Sequence, residues 1–257
     1  MRIVEANLNL RIEKGHTNRD YAIRKEIVES LLNINPVADI YTMVEYMQCQ
    51  DEEFLDVFSQ NGYVPTKMLD KNNRGILIEI KKDYSIEKKH ELYKPHLLHL
   101  EIKKENKKIN LIVLRILAGK YCNEKEFSDR KDQFEKAFDY IRSLNSKQII
   151  LTGDFNNARI RDDYTGYAQK CYNYQWIVKR FKDISLELVP VKGYSHKGYL
   201  KEDHIILGNS LRAKKAEYET DLFDDRDAIG YPDHVPLIAD IEIDSSQQPC
   251  SILDGNS

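Results

Sequence analysis

Cysteine is scarce and scattered in this chain, with four residues in 257, at Cys49, Cys122, Cys171 and Cys250, and no C-x-x-C pair. That pattern argues against a zinc knuckle or a disulfide framework and fits a reducing compartment. Long apolar runs are missing too, so no segment reaches membrane-spanning length. The first ten residues are interrupted by Glu5, Asn7 and Asn9 and do not read as a signal peptide. Excess positive charge is also absent. Thirty-nine basic against 42 acidic side chains give a net charge of −3, which disfavours a globally basic nucleic-acid clamp but leaves room for a local basic groove. Internal repeats and low-complexity linkers are lacking. The expectation is a soluble cytoplasmic protein with one domain over 1–243 and a polar, frayed tail over 244–257.

Apolar material suffices for a core, at 41% of residues, and 32% charged residues give a well-solvated surface. Arg2 to Leu10 alternates weakly and predicts a strand. Thr17-Asn18 caps a predicted helix running to about Asn33, with Ile23, Ile27 and Leu31 at helical spacing, and Ile34-Asn35-Pro36 stops it. Ile40 to Val44 predicts a strand, Glu52 to Gln60 a helix, and Gly75 to Ile80 a strand. Leu97 to Ile102 and Ile109 to Ile116 flank a lysine-rich stretch, 103–108, and predict a hairpin. Its lysines read as a solvated turn, with a nucleic-acid contact as the alternative. Glu124 to Leu144 is a long amphipathic helix with Phe127, Phe134, Phe138 and Ile141 on one face. Gln148 to Leu151 predicts a buried strand, Gln169 to Phe181 a helix, and Asp203 to Leu207 and Val235 to Ile243 the late strands. Strands alternating with helices, with hairpins among them, predict an α/β fold with mixed sheets.

Polar residues interrupt the strand ends in order. Asn7 and Asn9 close the first strand on one face, because strand period is two. Glu45 closes the Ile40 strand. Arg115 sits inside the apolar run Ile112 to Leu117. Gly153-Asp154-Phe155-Asn156 follows the Gln148 strand. Asp203-His204 opens one strand and Asp233-His234-Val235-Pro236 opens the last. Each has an ordinary reading: an outward strand residue, a helix cap, a turn, a core ion pair, a satisfied structural histidine. The ordered set is what points to chemistry.

That set resembles the endonuclease/exonuclease/phosphatase superfamily, which includes deoxyribonuclease I, apurinic-site endonucleases and neutral sphingomyelinases. Ala6-Asn7-Leu8-Asn9 stands where the family has Trp-Asn-x-Asn/Asp, and Glu45 where its second motif ends in Glu. Gly153 to Asn156 is an intact Gly-Asp-Phe-Asn. Asp203 opens a strand as the fourth motif does, and Pro232-Asp233-His234-Val235-Pro236 matches Ser-Asp-His-x-Pro. Ala6 replaces the usual Trp and Pro232 the usual Ser, and Asn9 stands where an acid is frequent.

The resemblance implies a four-layer α/β sandwich, with two mixed β-sheets packed face to face, helices outside and the site at one edge. It implies phosphoester hydrolysis with Mg²⁺ or Mn²⁺. Glu45 is then the leading metal ligand, since hard cations prefer carboxylate oxygen, with Asn7, Asn9 and Asp233 as further metal-side groups. Asp154 resembles the residue that orients or deprotonates water, Asn156 a donor to phosphate, and His234 the phosphate-contacting histidine. Asp203 resembles the carboxylate that fixes that histidine's tautomer. Arg115 stands where relatives aim a His or Tyr at phosphate. A guanidinium fork would serve there, and a structural ion pair is the equal alternative.

A nuclease acting on DNA or RNA is the leading reading. Among the 16 tyrosines, Tyr164, Tyr167, Tyr172, Tyr174 and Tyr199 could stack bases, although half-buried packing is the plainer reading. Arg159, Arg161, Lys170, Lys197 and Lys201 could track a phosphate backbone or simply be solvated. A phosphatase or phosphodiesterase on a small or lipid phosphate is the second reading, although no membrane-docking loop or amphipathic anchor is evident. A binding or scaffold protein with a decayed site is the third, and intact Glu45, Asp154 and His234 argue against it.

Overall fold

Alternation along the first strand sets the architecture. In β1 (Arg2–Asn7), Ile3 enters one apolar core while Val4 and Ala6 enter another on the opposite face. The computed structural model describes residues 1–10, 16–119, 123–158, 171–220 and 232–243. The first sheet runs β11 (Leu211–Tyr218), β12 (Leu237–Ile243), β1, β2 (Ile40–Met47), β4 (Arg74–Lys81), β3 (Tyr63–Leu69). The second runs β5 (Ser85–Leu92), β6 (Leu97–Lys104), β7 (Lys107–Arg115), β8 (Ile149–Asp154), β10 (Asp203–Gly208), β9 (Leu186–Leu188). One pair in each sheet is parallel, β1 with β2 and β7 with β8, and the other pairs are antiparallel.

The sheets stack through Ile3, Ile40, Val44, Leu100, Leu111, Val113, Ile150 and Ile205. Outside the first sheet, α1 (Lys25–Leu32) and α2 (Glu52–Gln60) bury Val28, Leu31, Phe54 and Phe58 against Tyr41 and Tyr63. Outside the second, α3 (Glu124–Ser143) and α4 (Tyr174–Lys182) bury Phe134, Phe138 and Phe181 against Leu151, Phe155 and Ile206. Helix, sheet, sheet, helix is the four-layer sandwich the resemblance implied. Asn123 and Asn173 cap α3 and α4, accepting backbone N–H groups at 3.0 and 2.9 Å. Among the described residues no helix is long and apolar enough to cross a membrane.

Two sequence expectations change. Thr17 caps only a single 3-10 turn, Asn18–Asp20, and α1 starts later, at Lys25. The intervening chain is drawn into extended pairing: Ile23 N–H bonds Gln50 O at 3.1 Å and Gln50 N–H bonds Tyr21 O at 3.2 Å. Four strands lacked a sequence signal, β3, β5, β9 and β11, and all four are sheet edges. The hairpin lysines pair with acids, Lys104 with Asp83 at 2.8 Å and Lys108 with Glu87 at 2.7 Å, as a solvated turn does.

Strand direction gathers the site. Parallel pairing brings Asn7 beside Val44 and Arg115 beside Asp154, and antiparallel pairing sets Asp203 directly opposite Asp154. The central strands β1 and β2 face β7 and β8 across the sandwich, so both sheets present polar strand ends at one edge.

Candidate active site

Each residue of the Gly153–Asn156 turn has a separate task. Gly153 has φ +135°, and a Cβ there would lie 1.9 Å from the carbonyl oxygen of Leu114, so only glycine lets β8 approach β7 this closely. Asp154 follows on the inter-sheet face. Phe155 points the other way, fully buried against Phe134 and Phe181. Asn156, at φ +45°, turns the chain back, and its backbone N–H donates to Asp154 Oδ1 at 2.8 Å. Asn156 Nδ2 donates to Asp154 Oδ2 at 2.6 Å and to Ile116 O at 2.8 Å. Both amide hydrogens are therefore engaged. The expected phosphate donor instead holds Asp154 in place.

Asn7 Nδ2 also donates to Asp154 Oδ2, at 3.3 Å, across the two sheets. Its Oδ1 accepts the backbone N–H of Asn9 at 2.8 Å, so Asn9 supports Asn7 through the main chain. Glu45 stands at a break in register between Met43 and Tyr46, where β2 bulges against β4, and has φ +51°. A bulge of this kind re-aims a side chain. It puts Glu45 beside Arg115, whose Nη2 donates to Glu45 Oε1. Arg115 and Glu45 thus form an ion pair. Asn9, Glu45 and Asn156 all hold left-handed backbone, the kind of strain that concentrates at functional sites.

His234 Nδ1 bonds Asp203 Oδ2 at 2.7 Å, and both side chains are buried. Burial opposes a charged His234, but the charge and hydrogen bond of Asp203, helped by Asp154 and Glu202, hold its pKa well above the ordinary value. Burial likewise opposes ionised Asp203, and His234 more than compensates, leaving its pKa lowered. Asp154 has the opposite fate. Burial, then the charges of Asp203, Glu202 and Glu45, raise its pKa well above the carboxylate range, with His234 offsetting part. Ligand atoms of Asp154, Asp203 and His234 lie within 4.8 Å of one another. Asp233 sits at the histidine side, its Oδ1 4.0 Å from His234 Nε2.

Several groups had no motif to announce them. Ser195 Oγ accepts the N–H groups of Glu202 at 2.9 Å and Asp203 at 3.3 Å, and its carbonyl accepts Val235 N–H at 2.8 Å. One residue thus ties the Asp203 strand to the His234 loop. Arg130, on α3, donates to Asn156 O at 2.8 Å. Its place in the stripe Phe127, Arg130, Phe134 was a readable signal, a charge where the helix face is apolar. Glu5 lies fully buried on the Ile3–Asn7 face with neither carboxylate oxygen hydrogen-bonded. Burial and the charges of Asp203 and Asp154 raise its pKa well above the ordinary value. Glu202 is raised to about 7, mainly by burial.

Of the proposed base-stacking residues, Tyr172 is fully buried with its hydroxyl on Phe155 O at 2.6 Å, a packing role. Tyr199 is exposed and Tyr174 half-buried. Lys201 is half-buried with Nζ on Val191 O, while Lys197 is exposed. Arg159, Arg161, Tyr164, Tyr167 and Lys170 lie outside the described residues, as do Cys122, Cys250 and the 244–257 tail.

No protein-family model and no curated protein sequence matches the chain. The fold is that of the endonuclease/exonuclease/phosphatase superfamily. The chain is similar to the 3′ phosphatase NExo from Neisseria bound to a product DNA hairpin, at 16% identity and TM-score 0.66, covering 94% of this chain and 99% of that one. Zebrafish (D. rerio) TDP2, complexed with a single-strand DNA product, gives 11% identity and TM-score 0.62 over 94% and 98%. A Bacteroides thetaiotaomicron mannosyl-6-phosphatase gives 14% and 0.61 over 95% and 100%.

Proposed function

We propose that the chain is a divalent-metal-dependent phosphodiester hydrolase that cleaves DNA or RNA. The observation that carries this reading is the Asp203–His234 pair set directly opposite a high-pKa Asp154, at the same sandwich edge as Glu45. Asp154, anchored by three N–H donors, takes a proton from an attacking water. Its three N–H donors fix the carboxylate in place for that step. His234, held by Asp203, turns Nε2 toward the phosphoryl group and stabilises or protonates the leaving oxygen. Arg115 neutralises Glu45 at rest and offers its remaining donors to a phosphate oxygen.

Glu45 offers carboxylate oxygen and Asn7 the second lone pair of the Oδ1 that already accepts Asn9 N–H, and oxygen donors of this kind fit a hard cation such as Mg²⁺ or Mn²⁺. Glu45 and Asn7 would hold the ion, with Asp233 reaching it through water. When bound, the ion supplies Lewis-acid stabilisation of phosphoryl charge and lowers the pKa of water. Asn9 acts through Asn7.

A nucleic-acid substrate is favoured by the DNA products in the NExo and TDP2 structures. The mannosyl-6-phosphatase likeness favours a small phosphomonoester as the second reading. The thiol of Cys49, outside any disulfide, fits a reducing cytoplasm. The test is a panel of plasmid DNA, single-stranded DNA, RNA, an aryl phosphodiester and sugar phosphates, with Mg²⁺ or Mn²⁺ and with EDTA. Cleavage of nucleic acid that vanishes in EDTA is expected. Turnover of sugar phosphate alone would select the second reading, and full activity in EDTA would overturn the mechanism.

A further inference from the structure

His234 has a second set of neighbours on the side away from Asp203. The loop between β9 and β10 carries His196, whose backbone bridges to both Leu200 and His234. The two imidazoles meet edge to face, with ring centroids 4.2 Å apart. Glu202, just before β10, brings a largely buried carboxylate. Ligand atoms of His196, Glu202 and His234 lie within 4.8 Å of one another. His196 Nδ1 is buried without a hydrogen-bond partner, on a side chain only 10% exposed. Asp233 stands 4.0 Å from His196 Nδ1 and 4.0 Å from His234 Nε2, too far for a hydrogen bond to either.

Two imidazole nitrogens and one or two carboxylates around an unpartnered nitrogen suit a borderline cation, not Mg²⁺. Ligand atoms of a tetrahedral zinc site stand roughly 3.4 Å apart, given bonds of about 2.0–2.1 Å. The ligand atoms of His196, Glu202 and His234, within 4.8 Å of one another, reach that spacing by closing at most about 1.4 Å, shared among three side chains. Asp203 on His234 Nδ1 already supplies the outer carboxylate that orients a metal-bound histidine and leaves Nε2 to the ion.

We propose that His196, Glu202 and His234 form an inhibitory site for Zn²⁺ or a similar borderline divalent cation. It is distinct from the Glu45 side. An ion there occupies His234 Nε2 and withdraws that nitrogen from the phosphoryl group. Zinc therefore switches off hydrolysis without displacing the activating metal. The binding claim is independent of the proposed function, and only the inhibition claim rests on it.

The experiment is equilibrium dialysis of the metal-free full chain against Zn²⁺, with no Mg²⁺ and no substrate. Co²⁺ absorption spectra report the ligands. One tight site with no thiolate charge-transfer band is expected, which sets it apart from cysteine binding. His196→Phe and Glu202→Gln should each weaken it by at least about 10-fold. His196→Phe should keep Mg²⁺-supported hydrolysis within about two-fold while raising the half-inhibitory Zn²⁺ concentration at least about 10-fold. No zinc binding by the wild type, or unchanged binding by a folded His196→Phe, overturns the proposal. If that variant fails to fold by circular dichroism, Glu202→Gln decides the question. If the wild type hydrolyses nothing, dialysis still decides the site.

Discussion

Asp203 and Asp154 face each other directly across β10 and β8, yet their pKa values move in opposite directions. Two carboxylates opposed in a buried sheet cannot both ionise cheaply. His234 resolves the conflict by bonding Asp203 alone, so charge settles on Asp203 and proton affinity on Asp154. Separate acid and base roles come out of one cross-strand pair. Asp154→Ala and His234→Ala are each expected to lower kcat/KM on the order of 10²–10⁴-fold. Circular dichroism should match wild type. Near-wild-type turnover in either variant removes the assignment.

Asp203→Asn keeps the shape of its side chain but removes the charge that His234 needs. A loss of similar size in kcat, with KM changed far less, is expected if Asp203 acts through His234. Steady-state kinetics on the preferred substrate make the comparison. A loss confined to KM would point to substrate binding instead.

Arg115 and an activating cation compete for the same Glu45 carboxylate. Arg115→Ala should therefore tighten apparent Mg²⁺ binding by several-fold, about 1 kcal/mol for a largely buried charge partner. The turnover rate should still fall, because a phosphate donor is lost. Activity measured against Mg²⁺ concentration reads both effects. Weaker Mg²⁺ binding in the variant would mean that Arg115 builds the metal site and does not compete with it.

Gly153→Ala combines an unfavourable backbone angle with a Cβ driven into Leu114 O. A loss of at least about 2 kcal/mol is expected in urea unfolding, with activity lost out of proportion because Asp154 is displaced. A stable and active variant would show that β7 and β8 can separate at no cost.

Glu79 is buried on the helix-covered face of β4, with both carboxylate oxygens unpartnered. Burial raises its pKa from 4.5 to about 8. The folded chain therefore holds a proton that the unfolded chain releases, and stability falls as pH rises from about 4.5 to about 8, then levels. The contribution lost across that window is roughly 3–5 kcal/mol. Glu79→Gln should flatten this part of the profile in urea titrations. Parallel wild-type and variant curves would show that Glu79 ionises freely in the folded state.

Central elements were legible because they are buried. The runs behind β1, β2, β7 and β8 are apolar, and the motif residues stand out as polar letters at their ends. The edge strands were silent for the opposite reason. β5 reads Ser-Ile-Glu-Lys-Lys-His-Glu-Leu, a charged strand suited to an exposed edge, and carries almost no burial pattern. In the site, the Asp203–His234 pairing was an expectation carried by the family resemblance, because the two residues lie 31 positions apart and nothing local joins them. The task of Asn156 did not, since a turn that returns its own amide to Asp154 looks the same in sequence as one that offers it to phosphate. The Glu45 bulge was hidden too, because an extra residue in a strand leaves no trace in spacing. Ser195 has no helical or strand periodicity to mark it, and its role exists only once the loop before β10 meets the loop before β12.

The two sheets divide the chemical groups between them. Asn7 and Glu45 belong to one, Arg115, Asp154 and Asp203 to the other, and the Asn7–Asp154 bond crosses the interface. Neither sheet formed by itself has a working centre. A refolding chain that has regained its strands but not stacked them would show full secondary structure and no turnover. Recovered catalysis is thus a clock for the last, tertiary step of folding, read at the seam where the halves join.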